Sequence, residues 1–542
     1  MKRVLFVSLI LWSASVVQAQ YVSQVWCPDL GDGTYQNPVL DADYSDPDVC
    51  AVGEDFYLTA SSFNCIPGLP ILHSRDLVNW TIVGHALQEQ LPREVFASVQ
   101  HGCGVWAPSI RYHEGLFYIY WGDPDRGIMM VKTRDPRGEW EKPVCVIEGR
   151  GMIDPCPLWD EDGRCYLVHA WAASRSGFNS VLTVRELSAD GTRSVGQPVL
   201  VFDGGQENHT TEGPKLYKRD GWYWILCPAG GVEQGWQLAM RSKTVYGPYE
   251  ARTVMAQGWS LVNGPHQGAW VTTPQGEDWF LHFHDKGPYG RVVFLQPMAW
   301  KNGWPVIGND REGNGCGEPV MTYRKPVQGK RRQNPQESDE FDQPALGKQW
   351  QWQANYDPAW GMPTAMGVMR LYTHDLTEGT LWQAPNLLLQ KTPTEKFCVT
   401  TRMTMAAKAD GQYGGLVMMG RDYSAVVVRR VGEEFALQQL TCKRADEGGE
   451  EHAVTLASLT PTRRDTIPYS PALYLDIYLR MKVADGWCTF SYSTDNEHFQ
   501  EVGERFRLRQ GKWIGAKFGF VSERSLTAGN RGWLDVDWVR VM

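Results

Sequence analysis

Residues 219–227 read RDGWYWILC, a polar turn ending in glycine that runs into an apolar, aromatic-rich segment. Four other stretches follow the same plan: GEDFYLTA (53–60), HEGLFYIYW (113–121), EDGRCYLVHA (161–170) and GEDWFLHF (276–283). With Tyr57, Tyr118, Tyr166, Tyr223 and Phe280 taken as equivalent, the spacings are 61, 48, 57 and 57 residues. Self-similarity at a period of this size is the mark of a repeat architecture, here a propeller blade with variable loops. A second echo follows several of the repeats, in LHSRDLVNW (72–80), VKTRDPRGEW (131–140) and MRSKTVYGPYE (240–250), where a strand ends in a polar turn and an aromatic. No long pattern of helical period occurs between residues 37 and 323, so this region reads as strand and turn. The expectation is an all-β chain whose first unit is a five-bladed β-propeller. The first strand of each blade would line a central funnel, and the loops entering those strands would carry the chemistry.

After residue 323 comes RKPVQGKRRQNPQESDE (324–340), polar and basic with two prolines, which reads as a linker. Beyond it, KFCVTTRMTM, GGLVMMG, SAVVVRR, FALQQLTCK, LYLDIYLRMK, WCTFSYS and WLDVDWVRVM alternate apolar and polar residues with period two. One apolar face per strand argues a β-sandwich of the jelly-roll kind. The expected division is a signal peptide at 1–19, the propeller at 20–325, a linker at 326–338 and the sandwich at 339–542.

The signal peptide rests on Lys2-Arg3, a mostly apolar run from Val4 to Val17, and Val17-Gln18-Ala19, with small residues at the two positions a signal peptidase inspects for a cut before Gln20. That run is too short to span a bilayer, and no later stretch offers about 20 consecutive apolar residues. Export to a periplasm or the extracellular space is therefore expected, with no membrane span. Twelve cysteines without a CxxC pair argue against zinc ribbons and against a dense disulfide scaffold. The formal charge of −9, or −11 once Lys2 and Arg3 leave, disfavours nucleic acid as a partner. The 24 tryptophans, 22 tyrosines and 18 phenylalanines lean toward a carbohydrate ligand, because flat rings stack on the apolar faces of sugars, although they also fill cores.

Five aspartates fall within residues 41–55, two of them flanking a proline in Asp46-Pro47-Asp48. Aspartates at a loop-to-strand junction are ordinarily turn formers. The propeller reading changes this for Asp46, which lies just before the first strand of blade one. Asp154, in GMIDPCPLW, lies just before a strand of blade three, and Glu212, in TTEGPKLY, just before a strand of blade four. Three carboxyl groups at matching positions of separate blades converge on the axis. Asp41, Asp43, Asp48 and Asp55 are assigned to the surrounding turns.

The stretches NPVLDADYSDPDV, VWAPSI, MIDPCPLWDEDGRCYL, TEGPKLY and GRVVFLQP resemble, in order and over residues 37–323, glycoside hydrolase family 43. This is the group of five-bladed propeller enzymes that includes β-xylosidases, α-L-arabinofuranosidases and arabinanases. The resemblance implies inversion of anomeric configuration, with Asp46 as general base, Glu212 as general acid and Asp154 as the group that tunes and orients the acid. It also implies that Arg291 binds substrate, a structural salt bridge being the alternative, and that Phe63 and Trp106 wall the sugar site, core packing being the alternative. His266, in GPHQGAW, matches a histidine near the axis that in some members holds calcium through waters; a hydrogen-bonded core histidine is the alternative. No cofactor is required by this reading. The C-terminal half, through FDQPALGKQWQWQANYDPAW and GWLDVDWVRV, resembles the concanavalin-like domain joined to many β-xylosidases of the family, in which a sandwich loop narrows the mouth of the pocket.

The implied activity is exo-hydrolysis of terminal pentose, β-D-xylose or α-L-arabinofuranose, from oligosaccharides or polysaccharide side chains of plant hemicellulose type. The residues leave two rivals open. One is a carbohydrate-binding protein on an inactive hydrolase scaffold, and the other is a retaining, fructan-cleaving five-bladed enzyme.

Overall fold

A computed structural model of the chain describes residues 21–376, 379–465, 472–524 and 530–542. The expected signal peptide lies outside the described residues. Five four-stranded antiparallel sheets follow one another, each a simple meander in chain order. Their first strands are Asp48–Val52, Trp106–His113, Met152–Trp159, Lys215–Arg219 and His266–Thr272. The repeated aromatics all fall on second strands, where Tyr57, Tyr118, Tyr166, Tyr223 and Phe280 oppose Cys50, Arg111, Leu158, Lys218 and Trp270 of the first strands. The turn joining these two strands needs a residue in the left-handed region, and the glycine of each repeat supplies it: Gly53, Gly115, Gly163, Gly221 and Gly276 have φ between +61° and +81°. The aromatic runs pack between neighbouring blades, as where Val49, Phe56 and Leu58 of blade one meet Ala269, Leu281 and Val293 of blade five.

A ring of blades must be closed, and the chain does so through its own N-terminal arm. Thr34–Gln36 pairs with Thr322–Arg324, and Leu40 bridges to Val293. The buried Asn37 side chain donates to the carbonyls of Leu295 and Val320, each at 2.8 Å, and accepts from the Leu295 N–H at 2.8 Å.

The C-terminal half is a β-sandwich of two antiparallel-dominated sheets. Alternate burial along Leu473–Ala484 follows the expected period of two. The inner faces meet in a core that includes Met403, Met405, Leu416, Val426, Phe518, Phe520 and Val536.

The segment read as a linker, with the residue before it, makes contacts to the propeller and its N-terminal arm. Lys325 forms a buried ion pair with Asp29 (Nζ to Oδ2, 2.7 Å), and Glu337 accepts from Ser23 Oγ at 2.7 Å and from Tyr21 Oη at 3.0 Å. The two domains are joined along a broad seam. Ile66 and Trp352 form a backbone bridge, the Asn355 side chain bonds the backbone of Gln90 in both directions, and His101 stacks on Trp382 with centroids 3.5 Å apart.

Two of the aspartates assigned to local turns belong to this seam. Asp41 binds Lys286 (2.7 Å) and Thr394 Oγ1 (2.7 Å), and Asp43 accepts the N–H groups of Arg291 and, from the sandwich, Gly515, each at 2.9 Å. Asp48 likewise reaches across blades, pairing with Arg111 at 2.6 Å and accepting the Ile110 N–H. Asp55 pairs with His73 and Arg75 on the neighbouring strand.

Candidate active site

At the entrance of each first strand one residue adopts positive φ: Asp46 (+56°), Ala107 (+38°), Asp154 (+56°), Gly213 (+61°) and Gln267 (+31°). Proline follows the first four and glycine the fifth. In blades two, three and five this position coincides with a register shift in the ladder to the second strand, between Trp106 and Ser109, Ile153 and Cys156, and His266 and Gly268. Bulges of this kind re-aim a side chain at a sheet's end. Asp154 therefore lies within its strand, at a bulge, rather than before it. Glu212 is offset by one residue from the position that Asp46 and Asp154 occupy, since Gly213 takes that place in blade four.

The offset has a structural use. The Gly213 N–H donates to Asp154 Oδ2 at 2.7 Å, tying the residue next to Glu212 onto Asp154, while the buried Gln267 Nε2 has no hydrogen-bond partner among the described residues. Asp46 is held by a separate set of donors. Ser45 Oγ and Ser61 Oγ both donate to its Oδ2, at 2.8 and 2.6 Å, and the guanidinium of Arg291 lies 3.4 Å from its Oδ1 while donating to Ser45 Oγ at 2.9 Å. Ser61 Oγ is in turn fixed by the Ala107 N–H at 2.8 Å. Arg291 is thus paired to Asp46 itself, the ion pair given as the alternative to substrate binding, formed at the candidate site.

The electrostatics differ between the carboxyl groups. Glu212 keeps 28% of its side chain open to solvent at the foot of the funnel, but protein surrounds it on the other sides. Burial first, and then the negative charge of Asp154, push its pKa up to about 8. Asp154 is raised as well, by burial and then by the charge of Asp46, against the opposing pull of the Gly213 N–H and Lys215. The two acids are one coupled system that gives up its protons in steps. Lys215 is fully buried below them, its ammonium spent on Pro108 O (3.0 Å) and Ser109 Oγ (2.8 Å).

His266 is buried beside Glu212, Nε2 to Oε1 3.5 Å. Burial, then the nearby Arg291 charge, lower its pKa to about 3, so this contact is between a neutral ring and the acid, not an ion pair. Among the described residues neither ring nitrogen has a hydrogen-bond partner, which departs from the hydrogen-bonded core histidine given as the alternative. Among the described residues no three His, Cys, Asp or Glu side chains form a cation cage. Direct calcium ligation, which takes six to eight oxygens, does not fit around His266. A contact through water is the one mode its open ring nitrogens suit.

Phe63 and Trp106 form an edge-to-face pair, centroids 6.4 Å apart, with Phe63 almost fully buried and Trp106 half-buried. Trp106 is completed by two residues that sequence reasoning did not single out. Trp513, 48% exposed on a sandwich loop, lies edge-on at 6.1 Å, and the Arg175 guanidinium, itself held by Asp125, sits 5.6 Å from the ring centre. The approach of the two domains here is close: a Cβ on Gly102 would come within 2.5 Å of Lys512 Cγ. Ser45, Ser61 and Gln267 were also missed. Gln267 had a signal, since it stands in the fifth copy of the entrance position; Ser61 and Trp513 had none.

A carboxyl group that retains its proton at neutral pH, facing a second one fixed by three donors at the foot of a funnel, is the equipment of acid–base hydrolysis. The family model "Glycosyl hydrolases family 43" matches residues 35–305, and "Beta xylosidase C-terminal Concanavalin A-like domain" matches residues 338–542. The chain belongs to glycoside hydrolase family 43 and is a glycosidase. It is similar to a protein named putative beta-xylosidase from Xylanibacter ruminicola, 36% identical over 91% of this chain and 87% of the relative. A beta-xylosidase from Formosa agariphila is 32% identical over 94% and 90%. A non-reducing end alpha-L-arabinofuranosidase from Bacteroides ovatus is 28% identical over 81% and 82%. Among solved structures, the family 43 protein BlXynB of Bacillus licheniformis superposes with a TM-score of 0.78 at 25% identity, over 94% of this chain and 99% of that one.

Proposed function

We propose that this protein is an exo-acting, inverting glycosidase that removes a terminal pentose, β-D-xylose or α-L-arabinofuranose, from glycans of plant hemicellulose type. The observation that carries the reading is the division between Glu212, held protonated by burial and by Asp154, and Asp46, gripped by Ser45, Ser61 and Arg291. In this reading Asp46 takes a proton from the water that attacks the anomeric carbon. Glu212 protonates the departing oxygen, and Asp154 sets the acid's pKa and position. The relatives bear both xylosidase and arabinofuranosidase names, which supports a pentose while leaving both in play.

Water is the only co-reactant the reading needs. If a hydrated cation stands by His266, exhaustive chelation will change the rate; the proposal expects it unchanged. Residues 1–19 support export, which N-terminal sequencing of the processed protein tests.

Early-time proton NMR during cleavage of a β-xyloside tests the mechanism. Release of the α anomer first agrees with inversion, whereas the β anomer first would sink it in favour of a nucleophilic, retaining enzyme. Parallel rates on nitrophenyl β-D-xyloside and α-L-arabinofuranoside give the preference, and no turnover on either would favour a binding protein.

A further inference from the structure

The loop that joins blade four to blade five, between strands Glu250–Met255 and His266–Thr272, reads AQGWSLVNGP (256–265). First strands run away from the entrance positions and fourth strands run back toward them, so this loop lies on the end of the propeller where the carboxyl groups stand. It is tethered on both sides of its tip. Val262 is buried against Val292 and Phe294 of blade five, the first of which follows Arg291 in the chain. Asn263 Nδ2 donates to Glu233 O of blade four at 2.8 Å, and Asn263 O accepts from His284 Nδ1 at 3.0 Å. Gly258 and Gly264 hold positive φ, +53° and +49°, and let the backbone come close: a Cβ there would meet the Glu318 side chain at 2.4 Å and Val232 O at 2.6 Å.

Between these anchors the loop turns Trp259 and Leu261 out to solvent, 74% and 88% exposed. Among the described residues Trp259 has no ring, cation or hydrogen-bond partner, and the one other exposed tryptophan is Trp513. In a ring of five, the junction of blades four and five lies across the axis from blade two, where Trp513 stands by Trp106. The two exposed indoles thus flank the mouth from opposite sides. A single exposed apolar residue is ordinary. An indole and a leucine together on the tip of a tethered loop, at the open end of the site, mark a ligand surface already in its bound shape.

We propose, resting on the glycosidase reading above, that Trp259 with Leu261 beside it is a platform for the leaving-group part of a glycan chain. The indole stacks on the apolar face of a sugar ring. The third strand of blade five, on which Val262 packs, lies about 10 Å outside the first, since neighbouring strands are about 4.8 Å apart. The platform is therefore out of reach of the pentose at the foot of the funnel and within reach of units further along the chain. It is a specificity device, acting on the length of the substrate and not on the bond that breaks.

The test compares the parent with Trp259→Ala on both nitrophenyl pentosides and on xylobiose to xylohexaose, or on arabinose-substituted xylo-oligosaccharides if the arabinofuranoside is the faster aryl substrate. The loss should lie in KM, grow with chain length and reach about threefold to tenfold on the longest chains. Trp259→Phe, which keeps a ring, should recover most of it. The aryl substrates separate the two readings: if the parent turns over neither pentoside, the glycosidase reading falls and takes the platform with it. If the parent is active but Trp259→Ala shows no loss, or the same loss at every length, the platform alone is overturned. Light scattering on the same samples reads the rival occupant, a second copy of the chain: a parent dimer that Trp259→Ala splits would also overturn the proposal.

Discussion

Replacing Asp154 by Asn tests the coupling between the two acids at nearly constant shape. The amide retains an oxygen for the Gly213 N–H, so the tie to the Glu212 loop survives and what leaves is the charge. The Glu212 pKa rises from 4.5 to about 8, with burial the largest cause and the Asp154 charge the second. The Asp154 charge is the smaller of these two causes, and the Arg291 charge opposes both. Two carboxylates about 5 Å apart repel by about 3 kcal/mol at an effective dielectric of about 20, which is an upper bound of about 2 pH units at about 1.4 kcal/mol each. The expected change is thus a shift of about 1 to 1.5 pH units, and its sign is fixed: without the like charge, Glu212 releases its proton at lower pH. Activity that requires the protonated acid is present below the Glu212 pKa and is lost as pH rises through it, so the alkaline limb of kcat/KM should move to lower pH by that amount. The assay is a pH series on an unactivated xylo-oligosaccharide for parent and variant, with circular dichroism confirming the fold. An alkaline limb that stays in place, or moves up, would falsify the assignment of Asp154 as the charge that holds the proton on Glu212.

The other outcomes are sharper in kind. Glu212→Gln should lose orders of magnitude on oligosaccharides, whose alkoxide leaving groups need a proton, yet keep much more of its rate on nitrophenyl pentosides; Asp46→Asn should lose both alike, and the reverse pattern would exchange their roles. Trp513→Ala should raise KM about threefold to tenfold, for a lost ring contact of about 0.5–1.5 kcal/mol, with an unchanged pH profile; an unaltered KM would exclude Trp513 from the mouth. Gly213→Ala must place a Cβ at φ +61° and within 2.7 Å of the Gln267 side chain, so turnover should fall and the pH limbs move as the residue 213 N–H is pulled from Asp154; a variant with normal kinetics would refute the tie. Asn37→Ala removes three buried hydrogen bonds that close the ring, and urea unfolding should show a loss of about 2–4 kcal/mol without any change in KM.

Much of the fold was readable because the blade repeats carry their own punctuation. A left-handed glycine must end the first turn of each blade, and an aromatic-rich strand must follow it to fill the space between sheets, so both appear five times in the sequence. The acids stood out for a related reason: Asp46-Pro47 and Glu212-Gly213-Pro214 precede first strands, and Asp154-Pro155 sits at the bulge near the start of a third. Contacts between distant parts of the chain left no local trace. Nothing around Trp513 announces that it will meet Trp106, and Asp41 and Asp43 look like the turn formers beside them until Thr394 and Gly515 arrive from the sandwich. The polar linker gave no sign that Glu337 would accept from Ser23 and Tyr21, more than 300 residues earlier in the chain. Composition reports solvation only where no partner is in reach.

The entrance position explains why the three acids are not equivalent. Holding a non-glycine residue at positive φ costs on the order of 1–3 kcal/mol, and the chain accepts that at Asp46, Ala107, Asp154 and Gln267. Three of these four strained residues contribute a bond to the site. Asp46 receives Ser45 and Ser61, Ala107 offers the N–H that fixes Ser61, and Asp154 receives Gly213. Blade four alone uses glycine there, and its acid stands one residue earlier, free of that strain and without a hydrogen bond to pin its carboxyl among the described residues. A group that must hand over a proton and later recover one benefits from that freedom, whereas a base that aims one water benefits from being gripped. On the proposed roles, the same entrance supplies a rigid base and a rigid modulator in blades one and three and a looser acid in blade four, by the shift of a single position in the chain.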